Sequence, residues 1–152
     1  MTVEVGQQAP DFELKNQFGT PVRLSQFRGE KNVMVVFFPK AFTATCTGEL
    51  CELRDERLLF RDDQTVVLGV SCDTTASLKV FADQEGYEFD LLSDFWPHGE
   101  VTQTYGVFFE PGGFPLRATF IIDMGGVVRW AVVNGPGDAR AVADYREALA
   151  AL

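Results

Sequence analysis

Apolar residues fall along the chain in two rhythms. Residues 33–38, Val-Met-Val-Val-Phe-Phe, are apolar without interruption, and residues 66–70, Val-Val-Leu-Gly-Val, repeat the pattern. Unbroken apolar runs of this length predict strands covered on both faces, as in a parallel sheet. Between them Cys46, Leu50, Leu53 and Phe60 recur at helical spacing. They define one face of a helix expected to run to about Arg61, with Glu49, Glu52, Arg54, Asp55 and Glu56 on its wetter side. After the second strand, Asp73 or Thr74 can cap a helix that turns Leu78, Phe81 and Ala82 inward and stops at Gly86. Strand, helix, strand, helix in this order predicts an α/β layered sheet.

The flanks read differently. Residues 9–24 alternate apolar and polar around the turn-forming residues 16–19, which predicts a β-hairpin. A polar connection, 26–31, follows. Residues 89–92 form a short strand, and Pro97 suits the first turn of a helix reaching about Tyr105. Residues 118–123 and 127–133 flank Met124-Gly125-Gly126, the pattern of a tight hairpin. Asp138 is expected to cap a last helix carrying Val142, Tyr145, Leu149 and Leu152 on one face. Residues 110–115, Glu-Pro-Gly-Gly-Phe-Pro, are the one extended loop.

Composition narrows the partners. The 152 residues suit one domain, 1–152. Acidic residues outnumber basic ones 22 to 13, for a net charge of −9. With no Lys/Arg cluster, nucleic acid and anionic membrane surfaces are disfavoured as partners. No apolar run approaches the ~20 residues of a membrane span, and residues 1–11 lack the pattern of a signal peptide. Three cysteines do not make a disulfide scaffold. The expected setting is reducing and cytoplasmic, with thiols used for chemistry.

Cys46 stands out among those thiols. It sits near the start of the first helix, where orphan N–H groups and the helix dipole favour an anion. The thiolate is the reactive form of cysteine. Pro39 sets the chain where it leaves the strand, and Thr43 and Thr45 place hydroxyls beside Cys46. Taken singly, Thr43 reads as a helix N-cap, Arg117 as an exposed strand residue and Cys72 as a packed small residue. His98 is the single histidine and reads as a structural or interface residue, since a metal site needs more ligands at suitable spacing. Phe95 and Trp96 read as core rather than as a substrate platform.

Pro39-x-x-x-Thr43-x-x-Cys46 resembles the active-site signature of the peroxiredoxins. The resemblance extends over almost the whole chain, through Ala9-Pro10-Asp11-Phe12, Leu92-Ser93-Asp94-Phe95-Trp96-Pro97-His98-Gly99 and Arg117-Ala118-Thr119-Phe120. The middle stretch points to the alkyl hydroperoxide reductase E subgroup, and the resemblance implies that this stretch lies near the active site and a dimer contact, which gives Phe95 and Trp96 an interface role as the alternative to core. The resemblance implies a thioredoxin-like fold, here a mixed central sheet flanked by helices with an N-terminal β-hairpin extension. It also implies a peroxidase acting on hydrogen peroxide and organic hydroperoxides without metal, haem or flavin.

In that reading Cys46 becomes a sulfenic acid and Arg117 stabilises charge on sulfur and on the leaving oxygen. Thr43 hydrogen-bonds the peroxide, and the backbone N–H groups of Thr45 and Cys46 donate to it. Pro39 shields the thiolate, and Phe42 lines the substrate position. Glu49 either holds an arginine or simply favours the helix dipole. The implied partners are a thioredoxin- or glutaredoxin-like dithiol protein or a low-molecular-weight thiol, and a second copy of the chain in a homodimer.

Cys51 departs from the one-cysteine pattern of that subgroup. Its spacing of five from Cys46 is that of the resolving cysteine in the bacterioferritin comigratory, or Q-type, subgroup. In an intact helix the two side chains would lie roughly 140° apart and beyond disulfide reach, so pairing requires local unwinding. The plainer alternative is a helix residue with no redox role. The rival to an enzyme is a redox sensor that oxidises at Cys46 without appreciable turnover.

Overall fold

The computed structural model describes residues 2–56 and 64–152. The end expected for the first helix near Arg61, and Phe60 on its face, lie outside the described residues. Among the described residues, nine strands and four α-helices follow in order. The strands are β1 (Glu13–Asn16), β2 (Pro21–Arg23), β3 (Asn32–Phe37), β4 (Thr65–Ser71), β5 (Asp90–Ser93), β6 (Phe108–Phe109), β7 (Phe114–Pro115), β8 (Arg117–Ile122) and β9 (Val128–Asn134). The helices are α1 (Ala44–Glu56), α2 (Thr75–Glu85), α3 (Glu100–Thr104) and α4 (Val142–Ala150).

Seven strands form one mixed sheet in the order β2-β1-β5-β4-β3-β8-β9. β3, β4 and β5 are parallel, as the unbroken apolar runs predict, and β8 pairs antiparallel to β3. The N-terminal hairpin is an integral edge of this sheet, because β1 pairs with β5. β6 and β7 form a separate small ribbon.

The apolar run of β3 divides between the two faces of the sheet, as the two-residue period of a strand requires. Val33, Val35 and Phe37 join one cluster with Phe12, Tyr105 and Phe120. Met34, Val36 and Phe38 join the other with Cys46, Leu50, Leu53, Leu78 and Phe81. α1 and α2 therefore cover the second face. Gly69 keeps this junction close, since a Cβ there would lie 2.8 Å from Leu91 Cδ2 and displace that side chain.

The boundaries of α2 follow the sequence reading. Thr74 is its cap, accepting a hydrogen bond from the Ser77 N–H, and Gly86 closes it at φ 70°. Other expectations fail, among them Glu49 on the wetter side of α1, since it is 7% exposed. Pro97 does not open α3: it lies in a turn after a cis bond to Trp96, and Gly99 takes the N-cap position. Asp94 supplies the missing cap, accepting from the backbone N–H groups of Val101 and Thr102. Asp138 does not cap α4, which starts after Ala141, and Leu152 lies beyond its end and is exposed. Phe95 and Trp96 are not core in this chain, being 46% and 81% exposed. Among the described residues, no helix is long and apolar enough to cross a membrane.

Candidate active site

The topology determines which residues meet at the carboxyl end of β3. There the chain leaves the sheet through residues 38–43 and turns into α1. The first hydrogen bond of that helical turn runs from the Thr47 N–H to the Thr43 carbonyl, 2.9 Å. Cys46 is the third residue of α1 and is wholly buried. Because β8 is antiparallel to β3, with Ala118 opposite Phe37, its first residue Arg117 arrives at this same end. Residues 71 apart in sequence are thereby brought together, and Arg117 Nη1 donates to Cys46 Sγ at 3.2 Å.

Arg117 does not stand alone. Its Nη1 also donates to Glu49 Oε1 at 2.6 Å, and its Nε donates to the Pro136 carbonyl. Glu49 lies one turn after Cys46 on the inward side of α1. Its carboxylate also accepts from Arg140: the backbone N–H at 2.6 Å, Nε at 2.9 Å and Nη2 at 2.9 Å. Arg140 Nη1 donates further to the carbonyls of Phe37 and Ala118 and to Thr119 Oγ1. This arginine joins the ends of β3 and β8 to α1.

The three charged side chains are 2–7% exposed. Burial pushes the Glu49 carboxyl up, but the hydrogen bonds and charge of Arg140, with the charge of Arg117, reverse this and hold it below the usual carboxylate range. Two guanidiniums against one carboxylate leave a buried excess of one positive charge at hydrogen-bond distance from Cys46. A thiolate there completes the charge balance.

The loop before α1 is held from below. Asp73, at the carboxyl end of β4, accepts from the Ala41 N–H at 2.9 Å and from Ser71 Oγ at 2.7 Å. Pro39 is buried in this loop. Phe42 adopts φ 69°, a left-handed conformation that costs a bulky residue energy. It is 51% exposed and packs against Phe81 at 5.1 Å. The Thr43 hydroxyl donates to the Lys40 carbonyl at 3.0 Å, so toward any ligand it is an acceptor. Lys40 lies over the Phe114 ring, 4.8 Å from its centre, which joins the β6–β7 ribbon to the loop.

Of the residues singled out from sequence, Pro39, Phe42, Thr43, Thr45, Cys46, Glu49 and Arg117 all fall at this one end of the sheet. Arg117 is 3% exposed, contrary to its single-residue reading as a surface arginine. Cys51 lies in the same intact helix as Cys46 and faces the end of α2. Cys72 is 8% exposed; burial, then the charge of Asp94, push its thiol up to about 12. His98 shares a 2.7 Å hydrogen bond with the Gly113 carbonyl and packs edge-on against Phe95 and Phe108. Arg140 and the loop-holding role of Asp73, read from sequence only as a possible helix cap, are not among those residues. A strand-end Asp in an α/β sheet was a usable signal for the second; nothing in the residues around Arg140 marked it.

A buried cysteine at a helix start is thus hydrogen-bonded to an arginine from the neighbouring strand, at one end of the mixed α/β sheet of a thioredoxin-like fold. The chain belongs to the AhpC/TSA family, whose profile matches residues 5–131. It is 47% identical over 150 residues to alkyl hydroperoxide reductase E of Mycobacterium tuberculosis, covering 99% of this chain and 98% of that protein. Peroxiredoxin Bcp of Bacillus subtilis is 35% identical over 142 residues, 88% of each chain. The crystal structure of peroxidoxin BcpB from Mycobacterium tuberculosis superposes with a TM-score of 0.85 at 32% identity, covering 98% of this chain and 97% of that one.

Proposed function

We propose that Cys46 is the residue through which this chain reduces peroxides. The protein is a thiol-dependent peroxidase, an oxidoreductase that takes hydrogen peroxide and organic hydroperoxides as electron acceptors. The observation that carries the assignment to Cys46 is the 3.2 Å hydrogen bond from Arg117 to its sulfur, within a buried cluster of net positive charge. The thiolate attacks one peroxide oxygen. The S–O bond forms, the O–O bond breaks, and the leaving oxygen departs as hydroxide or alkoxide and takes up a proton. Cys46 is left as a sulfenic acid.

Arg117 would serve both ends of this step, holding the thiolate beforehand and donating to the oxygen as charge develops. Thr43 would accept a hydrogen bond from the peroxide O–H, and the N–H groups of Thr45 and Cys46 would donate to the bound peroxide. Phe42 would line the approach and Pro39 would shield the sulfur. Glu49 acts at one remove, by aiming Arg117.

Cys51 is our candidate for resolving the sulfenic acid, giving a Cys46–Cys51 disulfide that a thioredoxin- or glutaredoxin-like dithiol protein, or a low-molecular-weight thiol, then reduces. We further read the chain as a single cytoplasmic domain that pairs with a second copy of itself. The test is turnover of peroxide with a dithiol reductant. Cys46→Ser should abolish turnover, and activity retained in that variant would overturn the assignment. A wild-type protein that is oxidised rapidly but does not turn over would be a sensor instead.

A further inference from the structure

α1 presents two neighbouring faces. Cys46, Leu50 and Leu53 point into the core. Thr47, Cys51 and Arg54, each one position on, meet the end of α2 instead. Tyr87 directly follows Gly86, the residue that closes α2. Its side chain is held firmly: the residue is 6% exposed, stacked on Phe89 at 5.3 Å and edge-on to Phe81 at 5.2 Å. Its hydroxyl donates to the Thr47 carbonyl at 3.2 Å and lies 3.4 Å from Cys51 Sγ. The Cys51 thiol donates to the Glu85 carboxylate at 3.5 Å, and Arg54 Nη1 donates to the Glu85 carbonyl at 2.5 Å. The end of α2 thus grips α1 at three points on one stripe. Burial, then the hydrogen bond with Cys51, raise the Tyr87 phenol above the usual tyrosine range, so it remains a neutral donor.

We propose that Tyr87 is a latch that keeps the start of α1 wound and Cys51 turned away from Cys46, and so sets how fast the Cys46 sulfenic acid is resolved. The proposal rests on the reading of Cys51 as the resolving cysteine. In the wound helix the two sulfurs leave the axis about 140° apart, with their Cα atoms beyond the ~7 Å limit for a disulfide. Bridging them means unwinding the turn between Thr47 and Cys51.

In an α-helix the Thr47 carbonyl is the acceptor for the Cys51 N–H. Tyr87 adds a second bond to that same carbonyl from a side chain anchored in the neighbouring element. Unwinding must break this bond and withdraw the thiol from Glu85. Gly48, in the middle of this turn, pulls the other way because glycine weakens a helix. Once the turn opens, the Cys51 thiolate attacks the Cys46 sulfur. The S–S bond forms, the S–O bond breaks, and the departing hydroxide takes the proton given up by the Cys51 thiol, leaving as water. No further oxidant is needed.

The test is Tyr87→Phe, which keeps the ring contacts and removes only the hydroxyl. Amide hydrogen exchange in the first two turns of α1 should rise about fivefold in the reduced protein, the effect of losing one hydrogen bond of ordinary net strength. After one equivalent of peroxide, the Cys46–Cys51 disulfide should form faster by a similar factor, while the initial oxidation of Cys46 keeps its wild-type rate. Glu85→Gln should speed the disulfide without changing exchange around Thr47. Exchange equal to wild type in Tyr87→Phe overturns the latch. Raised exchange with no linked Cys46–Cys51 peptide, in either wild type or variant, overturns control of resolution and with it the resolving role of Cys51. A slowed initial oxidation in Tyr87→Phe would mean that the hydroxyl supports the peroxide site itself.

Discussion

Replacing Glu49 by Gln removes the carboxylate that separates two buried guanidiniums. Arg117 and Arg140 together donate four hydrogen bonds to this carboxylate, and all three side chains are almost fully buried. Removing one partner from a buried ion pair strands charge in a poorly solvated site and costs roughly 3–5 kcal/mol. For a chain of this length that corresponds to a fall in Tm of about 6–20 °C. A thiolate at Cys46 would replace part of the lost charge, so the comparison is best made in a Cys46→Ser background.

The effect must also depend on pH. The Glu49 carboxyl titrates below its ordinary value in the folded protein, so its contribution is fully present above the unfolded-state value and is lost as pH falls through the folded-state one. The Tm difference between parent and Glu49→Gln should therefore be constant from pH 7 to about 5 and shrink on further acidification. Thermal unfolding followed by circular dichroism or calorimetry reads it directly. A Tm within about a degree of the parent at pH 7 would refute the reasoning, as would a difference that stays unchanged down to pH 3.

Arg117→Ala should slow oxidation of Cys46 by about a hundredfold or more, the usual effect of removing one donor to developing charge; an unchanged stopped-flow rate would make Arg117 structural. Cys72, buried with its thiol pushed up to about 12, should resist alkylation at pH 8 in the folded protein and react only on denaturation, which mass spectrometry of iodoacetamide-treated protein will show. A Cβ at Gly48 would meet no atom within 4 Å. Gly48→Ala should therefore strengthen α1 by about 1 kcal/mol and slow formation of the Cys46–Cys51 disulfide about fivefold, read by quenched intact-mass measurements; an equal rate would argue against unwinding as the slow step.

The sheet was legible because two unbroken apolar runs and an amphipathic helix between them admit few arrangements. The hairpin at residues 9–24 was legible as a hairpin, but its joining to β5 was not, since pairing between sequence-distant edges leaves no local periodicity. Pro97 misled because proline suits a turn as well as a first helical turn, and the buried carboxylate of Asp94 supplies the cap from a distance. Cys46 could be found from its position at a helix start. Its arginine was reached only by resemblance, because a lone Arg opening a strand carries no mark of its partner 71 residues away. Arg140 left no mark either: its value lies in the Glu49 carboxylate and the Phe37 and Ala118 carbonyls, which only the folded chain assembles.

The central claim is that the activated sulfur belongs to Cys46 alone. It is tested most directly by stopped-flow oxidation of the Cys51→Ser/Cys72→Ser double variant with hydrogen peroxide, since Cys46 is then the sole thiol. The second-order rate should equal that of the wild-type protein and lie far above that of a free cysteine, with one oxygen added at Cys46. Oxidation at the rate of a free thiol would contradict it.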